Sequence, residues 1–555
     1  MVLFEIKDLS FTYPGEKRKA LDSVSLSVKR GDFLALCGQS GCGKTTLLRH
    51  FKPAVTPHGE RSGSLLYKGN PLSETAERVL AEEIGFVFQD PDSQIVTDKV
   101  WHELAFSLES LGFESGVIRR RVAEMASFFG ITEWFERDVS TLSGGQKQLL
   151  NLASVMATSP EVLVLDEPTA QLDPIAAADF LSTLVRINRE LATTVILSEH
   201  RLEEILPYTD RMAVMENGRL TADGSPQEVG ELLKSSGSRM YGAMPAAMRI
   251  YSALDSGGSC PVSVRDGIEY LSREVTAGGE IEREPFPETE PAAELKDVWF
   301  RYEKSSPDIL KDLNLTVPKS SFFAVVGANG AGKSTMLSLM AGLNTPYRGS
   351  VKLFGKKIGK YKESELYPKT VALLPQNPMS LFTSNSVREE LETVAKAHGV
   401  PAEDAEKTAQ ITGCGEFLSR HPYDLSGGER QRAALAALIM TKPKILLLDE
   451  PTKGLDAAYK KELAAILKCL CSDGTTVIAV SHDIEFCAEY ADICALIFAG
   501  STAAYGEARE LFAGNSFYTT SANRISRRFF KNAVTNDEVV YLCRKQKENT
   551  DGARQ

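Results

Sequence analysis

The stretch Gly38-Gln-Ser-Gly-Cys-Gly-Lys-Thr45 decides the fold of this chain, and Gly327-Ala-Asn-Gly-Ala-Gly-Lys-Ser334 repeats it further along. Both stretches match the phosphate-binding loop pattern, in which two glycines separated by four residues are followed by lysine and a hydroxyl residue. Each copy follows an apolar run, Phe33–Cys37 or Phe322–Val326, and precedes a helical pattern. This strand-loop-helix context is the one that the motif requires.

The residue types in these loops fit the binding of phosphate and Mg²⁺. Glycines let successive backbone N–H groups turn inward around phosphate oxygens. Lys44 and Lys333 supply positive charge for the β- and γ-phosphates, while Thr45 and Ser334 offer a hydroxyl group to Mg²⁺. We therefore expect one nucleotide-phosphate site in each half of the chain.

The chain repeats itself at a long period. Five elements recur in the same order with offsets between 282 and 289: Lys44 and Lys333, Gln89 and Gln376, Ser143 and Ser426, Glu167 and Glu450, His200 and His482. A shared order with so little drift indicates two homologous halves.

Two further apolar runs end in paired carboxylates. Val162-Leu-Val-Leu-Asp166-Glu167 and Ile445-Leu-Leu-Leu-Asp449-Glu450 have the composition of buried parallel strands. Asp166 and Asp449 suit the coordination shell of Mg²⁺, whereas Glu167 and Glu450 suit the polarisation of an attacking water. Leu-Ser-Gly-Gly precedes a helical pattern in both halves, and its serine lies 24 residues before the second carboxylate in each case.

The order of the elements predicts an α/β fold. In each half, apolar strands such as Asp32–Cys37, Gly85–Gln89 and Thr194–Ser198 alternate with helical patterns, which favours a parallel sheet. We place the first domain at residues 1–240, an accessory segment with a short amphipathic helix at 241–275, and a flexible acidic linker at 276–293. The second domain follows at 294–517 and a tail at 518–555, whose basic residues we interpret as a solvated face.

Composition and charge limit the class of protein. Of the 555 residues 43% are hydrophobic and 25% charged, and the net charge is −11, which argues against a surface that attracts nucleic acid as a whole. The nine cysteines lack metal-ligand spacing and are interpreted as reduced cytosolic thiols. The N-terminal sequence has no signal-peptide pattern, and no apolar run approaches the 18 residues of a spanning helix. We therefore expect any role at a membrane to be peripheral.

Taken together, these motifs resemble those of the ATP-binding cassette (ABC) ATPases. The resemblance implies two tandem P-loop ATPase domains, each with a mostly parallel sheet core, an antiparallel β subdomain and a helical signature subdomain. It also implies that the two halves pair, so that each ATP contacts the phosphate-binding loop of one half and the Ser-Gly-Gly signature of the other.

Site residues follow from the same resemblance. The catalytic residues would be Glu167, Glu450, His200 and His482, and the metal site would use Thr45, Gln89, Asp166, Ser334, Gln376 and Asp449 for Mg²⁺. The residues expected to bind ATP are Tyr13, Gly38, Gly41, Gly43, Lys44, Thr45, Thr46, Gln89, Ser143, Gly144 and Gly145 in the first half. Their counterparts in the second half are Tyr302, Gly327, Gly330, Gly332, Lys333, Ser334, Thr335, Gln376, Ser426, Gly427 and Gly428. Asp173 and Asp456 match the D-loop.

A subfamily resemblance comes from Phe86-Val-Phe-Gln-Asp-Pro-Asp-Ser-Gln94 and Glu199-His-Arg-Leu-Glu-Glu204. These stretches are similar to those of the energy-coupling-factor importers, which take up vitamins or transition-metal ions. That resemblance implies two partners, a transmembrane scaffold subunit and a membrane substrate-binding subunit, and a position at the cytoplasmic face of the cell membrane. The second half departs from the pattern, because Gln376-Asn-Pro-Met-Ser-Leu lacks the later glutamine.

Two other functions remain open. Some tandem ABC ATPases act on ribosomes, but they join their halves by a long basic arm, whereas the segment between the halves is acidic here; no nucleic-acid partner is expected. Tandem sugar-importer ATPases often have one degenerate site, while both motif sets are complete here.

Overall fold

The computed structural model describes residues 1–255, 257–276 and 278–552. The chain forms two compact units, Met1–Arg249 with Gly257–Ser263, and Ile250–Ser256 with Val264–Gln555. Each unit is described by itself below.

The first unit contains two sheets and the helices around them. Its strands are β1 (Val2–Thr12), β2 (Leu21–Lys29), β3 (Phe33–Gly38), β4 (Glu60–Tyr67), β5 (Asn70–Pro71), β6 (Ile84–Val87), β7 (Val162–Asp166), β8 (Thr194–Ser198), β9 (Arg211–Glu216) and β10 (Arg219–Gly224). Its helices are α1 (Lys44–His50), α2 (Glu77–Glu83), α3 (Val100–Ser110), α4 (Ser115–Phe128), α5 (Gly144–Met156), α6 (Pro174–Leu191), α7 (Leu202–Ile205), α8 (Pro226–Ser236) and α9 (Ala246–Leu254), the last of which continues into the second unit.

The larger sheet of the first unit positions the candidate site. Its strand order is β10-β9-β3-β8-β7-β6, and all neighbours are parallel except β9 and β10. Strands β3, β7 and β8 are buried along their whole length, because helices cover both faces of a parallel sheet. The carboxyl ends of these adjacent strands carry the phosphate-binding loop, the paired carboxylates and His200, which is called the switch histidine below. The smaller sheet, β2-β1-β4-β5, is antiparallel.

The second unit repeats this plan. Its strands are β11 (Pro291–Phe300), β12 (Leu310–Pro318), β13 (Phe322–Val326), β14 (Arg348–Leu353), β15 (Lys356–Lys357), β16 (Val371–Leu374), β17 (Ile445–Asp449), β18 (Thr476–Val480), β19 (Ile493–Phe498) and β20 (Ser501–Glu507). Its helices are α10 (Val264–Glu274), α11 (Lys333–Met340), α12 (Glu363–Leu366), α13 (Val387–His398), α14 (Ala402–Ile411), α15 (Gly427–Ile439), α16 (Ala457–Ser472), α17 (Ile484–Tyr490), α18 (Ala508–Gly514), α19 (Ser521–Ser526) and α20 (Asn536–Gly552).

The sheets of the second unit have the same topology as those of the first. The larger sheet has the order β16-β17-β18-β13-β19-β20, and the smaller one has the order β12-β11-β14-β15. Only β20 is antiparallel in the larger sheet. The predicted α/β fold with two tandem domains, each with a mostly parallel core and an antiparallel sheet, is thereby confirmed.

The C-terminal residues of the second unit combine exposed basic side chains with buried apolar ones. We interpreted the basic residues of 518–555 as a solvated face, and Arg527 and Arg528 are exposed, whereas Ala522, Ile525 and Phe530 are buried. Helix α10, which the sequence attached to the first half, packs against α19. Lys547 of α20 forms an ion pair of 2.6 Å with Glu274 at the end of α10. Apolar side chains on these helices therefore make them part of a folded core.

The segment predicted as a flexible linker is tied to the same helices. The Gly278 N–H donates to the Phe529 carbonyl over 2.8 Å, and the Ile281 N–H donates to Asn532 Oδ1 over 2.7 Å. Arg283 pairs with the buried carboxylate of Glu538 at 2.9 Å. These bonds fix much of 276–293 to the C-terminal residues, and the segment ends inside β11. The domain limits drawn from the sequence stay a prediction.

Candidate functional site

The phosphate-binding loop of the first half connects β3 to α1. Lys44 is buried, and its Nζ donates to the carbonyls of Gly38 at 2.8 Å and Gln39 at 3.2 Å. Gly43 has a φ of +106°, and a Cβ atom there would lie 2.5 Å from the Ala20 carbonyl oxygen. Only glycine fits this conformation and this spacing. The loop therefore curves around the lysine ammonium group, which its own carbonyls hold in place.

The second half builds the same loop between β13 and α11. Lys333 Nζ donates to the carbonyls of Gly327 at 2.9 Å and Ala328 at 3.0 Å. Gly332 has a φ of +99°, and a Cβ atom would lie 2.6 Å from Leu310 Cδ2. Both halves thus place one lysine and a glycine of left-handed conformation at the start of the helix.

The end of β7 brings a carboxylate to the hydroxyl of the first loop. Thr45 Oγ1 donates to Asp166 Oδ1 over 3.0 Å, and Ser198 Oγ donates to the same oxygen over 2.9 Å. Burial and the neighbouring charge of Glu167 raise the pKa of Asp166, against the effect of these two hydrogen bonds. A cation beside this oxygen cluster would offset the free-energy cost of burying the charged carboxylate.

The second half offers a direct test of the fit to Mg²⁺. Asp449 at the end of β17 is buried, and among the described residues its Oδ1 has no hydrogen-bond partner. Burial raises its pKa, opposed in part by a hydrogen bond from Ser334 and the charge of Lys333. A buried carboxylate oxygen without a donor, next to a hydroxyl group, is the hard oxygen set that Mg²⁺ prefers. These residues fit the ion, which would supply charge neutralisation for the phosphates when bound.

The second carboxylate of the first half, that of Glu167, contacts side chains from two segments of the chain. Gln89 Nε2 donates to Glu167 Oε2 over 2.8 Å, and His200 Nε2 lies 2.8 Å from Glu167 Oε1. The Glu167 backbone N–H donates to Ser198 Oγ over 3.0 Å. Burial alone would raise the pKa of Glu167, but the hydrogen bond and charge of His200, together with the charge of Lys44, hold it below the usual range. Glu167 is therefore kept ionised, as a general base must be.

The second half holds its corresponding carboxylate differently. His482 Nε2 lies 3.1 Å from Glu450 Oε1 and 3.4 Å from Lys333 Nζ, and the His482 N–H donates to Glu450 Oε2 over 3.2 Å. Burial raises the pKa of Glu450, and the His482 N–H and the charge of Lys333 offset only part of this shift. The two candidate bases therefore differ in their electrostatics although their sequence motifs match.

Gln89 and Gln376 are not equivalent either. The Gln89 amide group is turned with its nitrogen towards Glu167, whereas among the described contacts Gln376 makes no hydrogen bond to Glu450. The structure thus places Gln89 beside the candidate base, and its role as a metal ligand stays a prediction, as does that of Gln376.

The aromatic residues predicted to stack on adenine lie at the end of the first strand of each half. The Tyr13 hydroxyl is 3.1 Å from Thr46 Oγ1, and the Tyr302 hydroxyl is 3.3 Å from Thr335 Oγ1. Each tyrosine thereby contacts the helix that follows the phosphate-binding loop. Tyr302 is 60% exposed, so the face of its ring is accessible to a base.

The Ser-Gly-Gly motifs cap α5 and α15. The Ser143 side chain accepts from the Gln146 N–H, and the Ser426 side chain accepts from the Glu429 N–H, each in a reciprocal capping box. Within the described part of the chain, no atom outside the local backbone lies within 4 Å of a Cβ built on Gly144 or on Gly427, so a ligand could approach the backbone there closely. Asp173 and Asp456 cap α6 and α16 by a single bond each, since their side chains accept from the N–H groups of Ala176 and Tyr459. The assignment of all these residues to ATP binding stays a prediction.

The structure adds two carboxylates that the sequence interpretation missed. Glu103 Oε2 accepts from the N–H groups of Val96 at 3.1 Å and Thr97 at 2.8 Å. Glu390 Oε2 accepts from the N–H groups of Thr383 and Ser384, both at 2.8 Å. Both glutamates are buried and hold the segment that follows Gln89 or Gln376, which is called the Q-loop of each half. Their offset of 287, equal to that between Gln89 and Gln376, is the sequence signal that could have found them.

The first half also ties its Q-loop to its signature helix. From α5, Lys147 pairs with Asp92 at 2.5 Å, Gln148 Nε2 donates to the Phe88 carbonyl over 3.2 Å, and Asn151 Nδ2 donates to the Pro91 carbonyl over 3.1 Å. At the position that corresponds to Asn151 the second half has alanine, Ala434. Side chains of α5 are therefore bonded to residues on both sides of Gln89.

Comparison with known proteins identifies the family. A family model described as "ABC transporter" matches residues 21–170 and 310–453, once in each half. The chain belongs to the ABC transporter family of ATPases. It binds and hydrolyses ATP, and members of this family couple that hydrolysis to transport.

Relatives of this ABC ATPase match more than nine-tenths of its length. A "Putative ABC transporter ATP-binding protein" of Bacillus cereus is 42% identical over 551 residues, covering 97% of this chain and 98% of the relative. A "Putative HMP/thiamine import ATP-binding protein YkoD" of Bacillus subtilis is 32% identical over 520 residues, covering 92% of each.

One solved structure is also similar in sequence. It is CbiO1 from Clostridium perfringens, described as part of the ABC transporter complex CbiONQ, and it is 32% identical over 43% of this chain and 96% of its own. The TM-score of 0.38 is too low to carry a statement about structure.

Proposed function

We propose that this ABC ATPase is the energising subunit of an energy-coupling-factor importer for a vitamin or a transition-metal ion. The observation that carries the ATPase part is the recurrence in both halves of lysine, aspartate, glutamate and histidine at the carboxyl ends of neighbouring strands. The importer part is supported by the similarity to the relative whose name specifies HMP/thiamine import.

Magnesium and the residue roles belong to the same proposal. Asp166 with Thr45, and Asp449 with Ser334, would hold the ion, which neutralises phosphate charge when bound. Glu167 and Glu450 would take the proton of the attacking water, and His200 and His482 would orient the γ-phosphate and the base. Lys44 and Lys333 would bind the β- and γ-phosphates.

Pairing of the halves is also proposed, on the basis of the family resemblance. It assigns Ser426 and Gly428 to the nucleotide on Lys44, and Ser143 and Gly145 to the nucleotide on Lys333. In a Glu450→Gln chain, only the Lys44 site should turn over, so Ser426→Arg should abolish the remaining hydrolysis and Ser143→Arg should leave most of it. Equal loss from both signature variants would contradict crosswise pairing.

The partners would be a transmembrane scaffold and a membrane substrate-binding subunit, with the ATPase at the cytoplasmic face. None of the helices in the described part of the chain is long and apolar enough to cross a membrane. We propose that the scaffold docks on the Q-loop surface, defined here as the residues around Gln94 and Val96 and around Leu381 and Phe382. Val96 is 65% exposed, which suits contact with a short amphipathic helix.

The experiment that tests the importer function is affinity purification of the tagged chain from its own cells. Recovery from the membrane fraction with an integral membrane protein, in amounts that fall after Val96→Asp, supports the proposal. Recovery with ribosomes and without a membrane protein would contradict it and would favour the translation-linked class. The exposed Ile175→Asp variant, outside the Q-loop surface, is the matched control and should leave recovery unchanged.

A further inference from the structure

The residue before the switch histidine of the first half is a buried carboxylate. Glu199 is 3% exposed. Its Oε1 accepts from the Thr169 N–H over 3.0 Å and from the Thr169 hydroxyl over 2.6 Å. Its Oε2 accepts from the His200 N–H over 3.1 Å. Glu199 thus bonds to two chain segments, the one that follows Glu167 and the one that carries His200.

In the second half the corresponding residue has a hydroxyl group in place of the carboxylate. Ser481 stands where Glu199 stands, and its Oγ lies 3.2 Å from Thr452 Oγ1 and accepts from the Asp483 N–H over 3.1 Å. One neutral oxygen there replaces the two oxygens of a carboxylate. Glu199 accepts from both the main chain and the hydroxyl of Thr169, whereas the contact described between Ser481 and the corresponding segment is with the hydroxyl of Thr452.

A second side chain reinforces the connection in the first half. Arg201 Nη2 donates to the Leu172 carbonyl over 2.8 Å. Residues on both sides of His200 therefore anchor its loop to residues 169–172, which lead directly into the Asp173 cap of α6. The geometry that results places His200 Nε2 2.8 Å from Glu167 Oε1.

We propose that Glu199 is a positioning residue for ATP hydrolysis in the first half. It fixes the main chain of His200 relative to the segment after Glu167, so that the imidazole and the base keep their mutual geometry. This inference rests on the proposed roles of Glu167 and His200. It goes beyond them by assigning the geometry of the first site in part to a residue whose described hydrogen bonds go to Thr169, His200 and Arg201.

The test uses the full chain with Glu450→Gln, which leaves only the first site to turn over. Glu199→Ser introduces the residue found in the second half and removes the carboxylate oxygens that accept from Thr169 and His200. Because small misplacements of catalytic groups cost up to about 10²-fold in rate, we expect the single-turnover rate to fall about 10- to 100-fold while KM for ATP changes little. Glu199→Gln keeps an oxygen acceptor for Thr169 and should recover part of the rate.

A matched control separates positioning from the loss of any buried carboxylate. Glu538 is 8% exposed and accepts from the N–H groups of Val534 and Thr535. Glu538→Gln should leave the single-turnover rate of the first site unchanged, even where it lowers the melting temperature. If Glu199→Ser does not fold, the rate of Glu199→Gln against that control decides the question.

The outcomes are distinguishable. A rate for both Glu199 variants equal to that of the Glu450→Gln background overturns the inference, and so does a rise in KM at constant rate, since that would mean a role in binding. Failure of the proposed function looks different: Glu167→Gln would then leave turnover unchanged in the same background, and the inference about Glu199 would fall with it.

Discussion

Replacement of Glu103 by alanine probes how the Q-loop surface is held. Glu103 lies on α3, is buried, and accepts from the N–H groups of Val96 and Thr97. Hydrogen bonds to a charged group contribute roughly 1.5–3 kcal/mol each, so the two bonds hold about 3–6 kcal/mol before the cost of burying the carboxylate is subtracted. We expect a net loss of about 2–4 kcal/mol, since the alanine variant leaves both N–H groups without this acceptor.

The assay is thermal unfolding of the nucleotide-free chain. For a domain of this size a loss of 1 kcal/mol lowers the melting temperature by about 2–4 °C, so Glu103→Ala should lower the first transition by about 5–15 °C. Glu109→Ala, at an exposed position on the same helix where the Glu109 carboxylate lies 3.6 Å from His102 Nε2, is the control and should change it by about 1 °C or less. Equal shifts in the two variants would refute the argument that Glu103 anchors this segment.

Three further predictions follow from the sites. A general base acts only when deprotonated, and the pKa of Glu450 is raised while that of Glu167 is lowered. As pH falls, turnover of the second site, measured in Glu167→Gln, should therefore be lost before turnover of the first site, measured in Glu450→Gln. Coincident pH profiles would contradict this. Phe382 packs against the core whereas Val96 is exposed, so Phe382→Asp should lower the melting temperature and Val96→Asp should not. If only Val96→Asp lowered the melting temperature, the exposed docking residue would be Phe382 in the second half. A Cβ on Gly43 would lie 2.5 Å from the Ala20 carbonyl oxygen, whereas one on Gly41 would meet no atom of the described residues within 4 Å. Gly43→Ala should therefore destabilise the nucleotide-free chain more than Gly41→Ala does. Equal melting temperatures of the two variants would count against the loop geometry.

The strands that carry the site could be predicted from the sequence almost to the residue. Val162–Asp166 and Thr194–Ser198 appear in the structure with the predicted limits, whereas β3 (Phe33–Gly38) begins and ends one residue later than the predicted Asp32–Cys37. Fully buried parallel strands require continuous apolar runs, and the polar residues at their carboxyl ends mark where burial stops. The edge strand β6 ends at Val87, two residues before the predicted Gln89, because the chain turns there into the Q-loop.

The supporting polar contacts could not be predicted in the same way. Glu103 and Glu199 look like surface residues in the sequence, and only tertiary structure shows that backbone N–H groups from other segments surround their carboxylates. The difference between Glu167 and Glu450 likewise depends on the distances to His200, His482 and Lys333. A repeated motif specifies residue types but not these distances.

The C-terminal helices were missed for a different reason. Ala247-Met-Arg-Ile250 and Ala522-Asn-Arg-Ile525 are a weak continuation of the internal repeat, but the charged residues around the second copy suggested a solvated tail. In the structure Arg544 of α20 donates to the Ala253 carbonyl over 2.7 Å, and the basic residues lie beside a buried apolar face. Charge along a sequence does not reveal a buried face at helical spacing.

The most direct test of two ATP-hydrolysing sites is the single-turnover rate of the full chain, its Glu167→Gln and Glu450→Gln variants, and the double variant, each with Mg²⁺ and saturating ATP. Loss of a general base costs about 10²–10⁴-fold. The account predicts that each single variant keeps hydrolysis at its unmodified site and that the double variant binds ATP but falls by at least about 10²-fold. Hydrolysis by the double variant at a rate near that of the unmodified chain would contradict it.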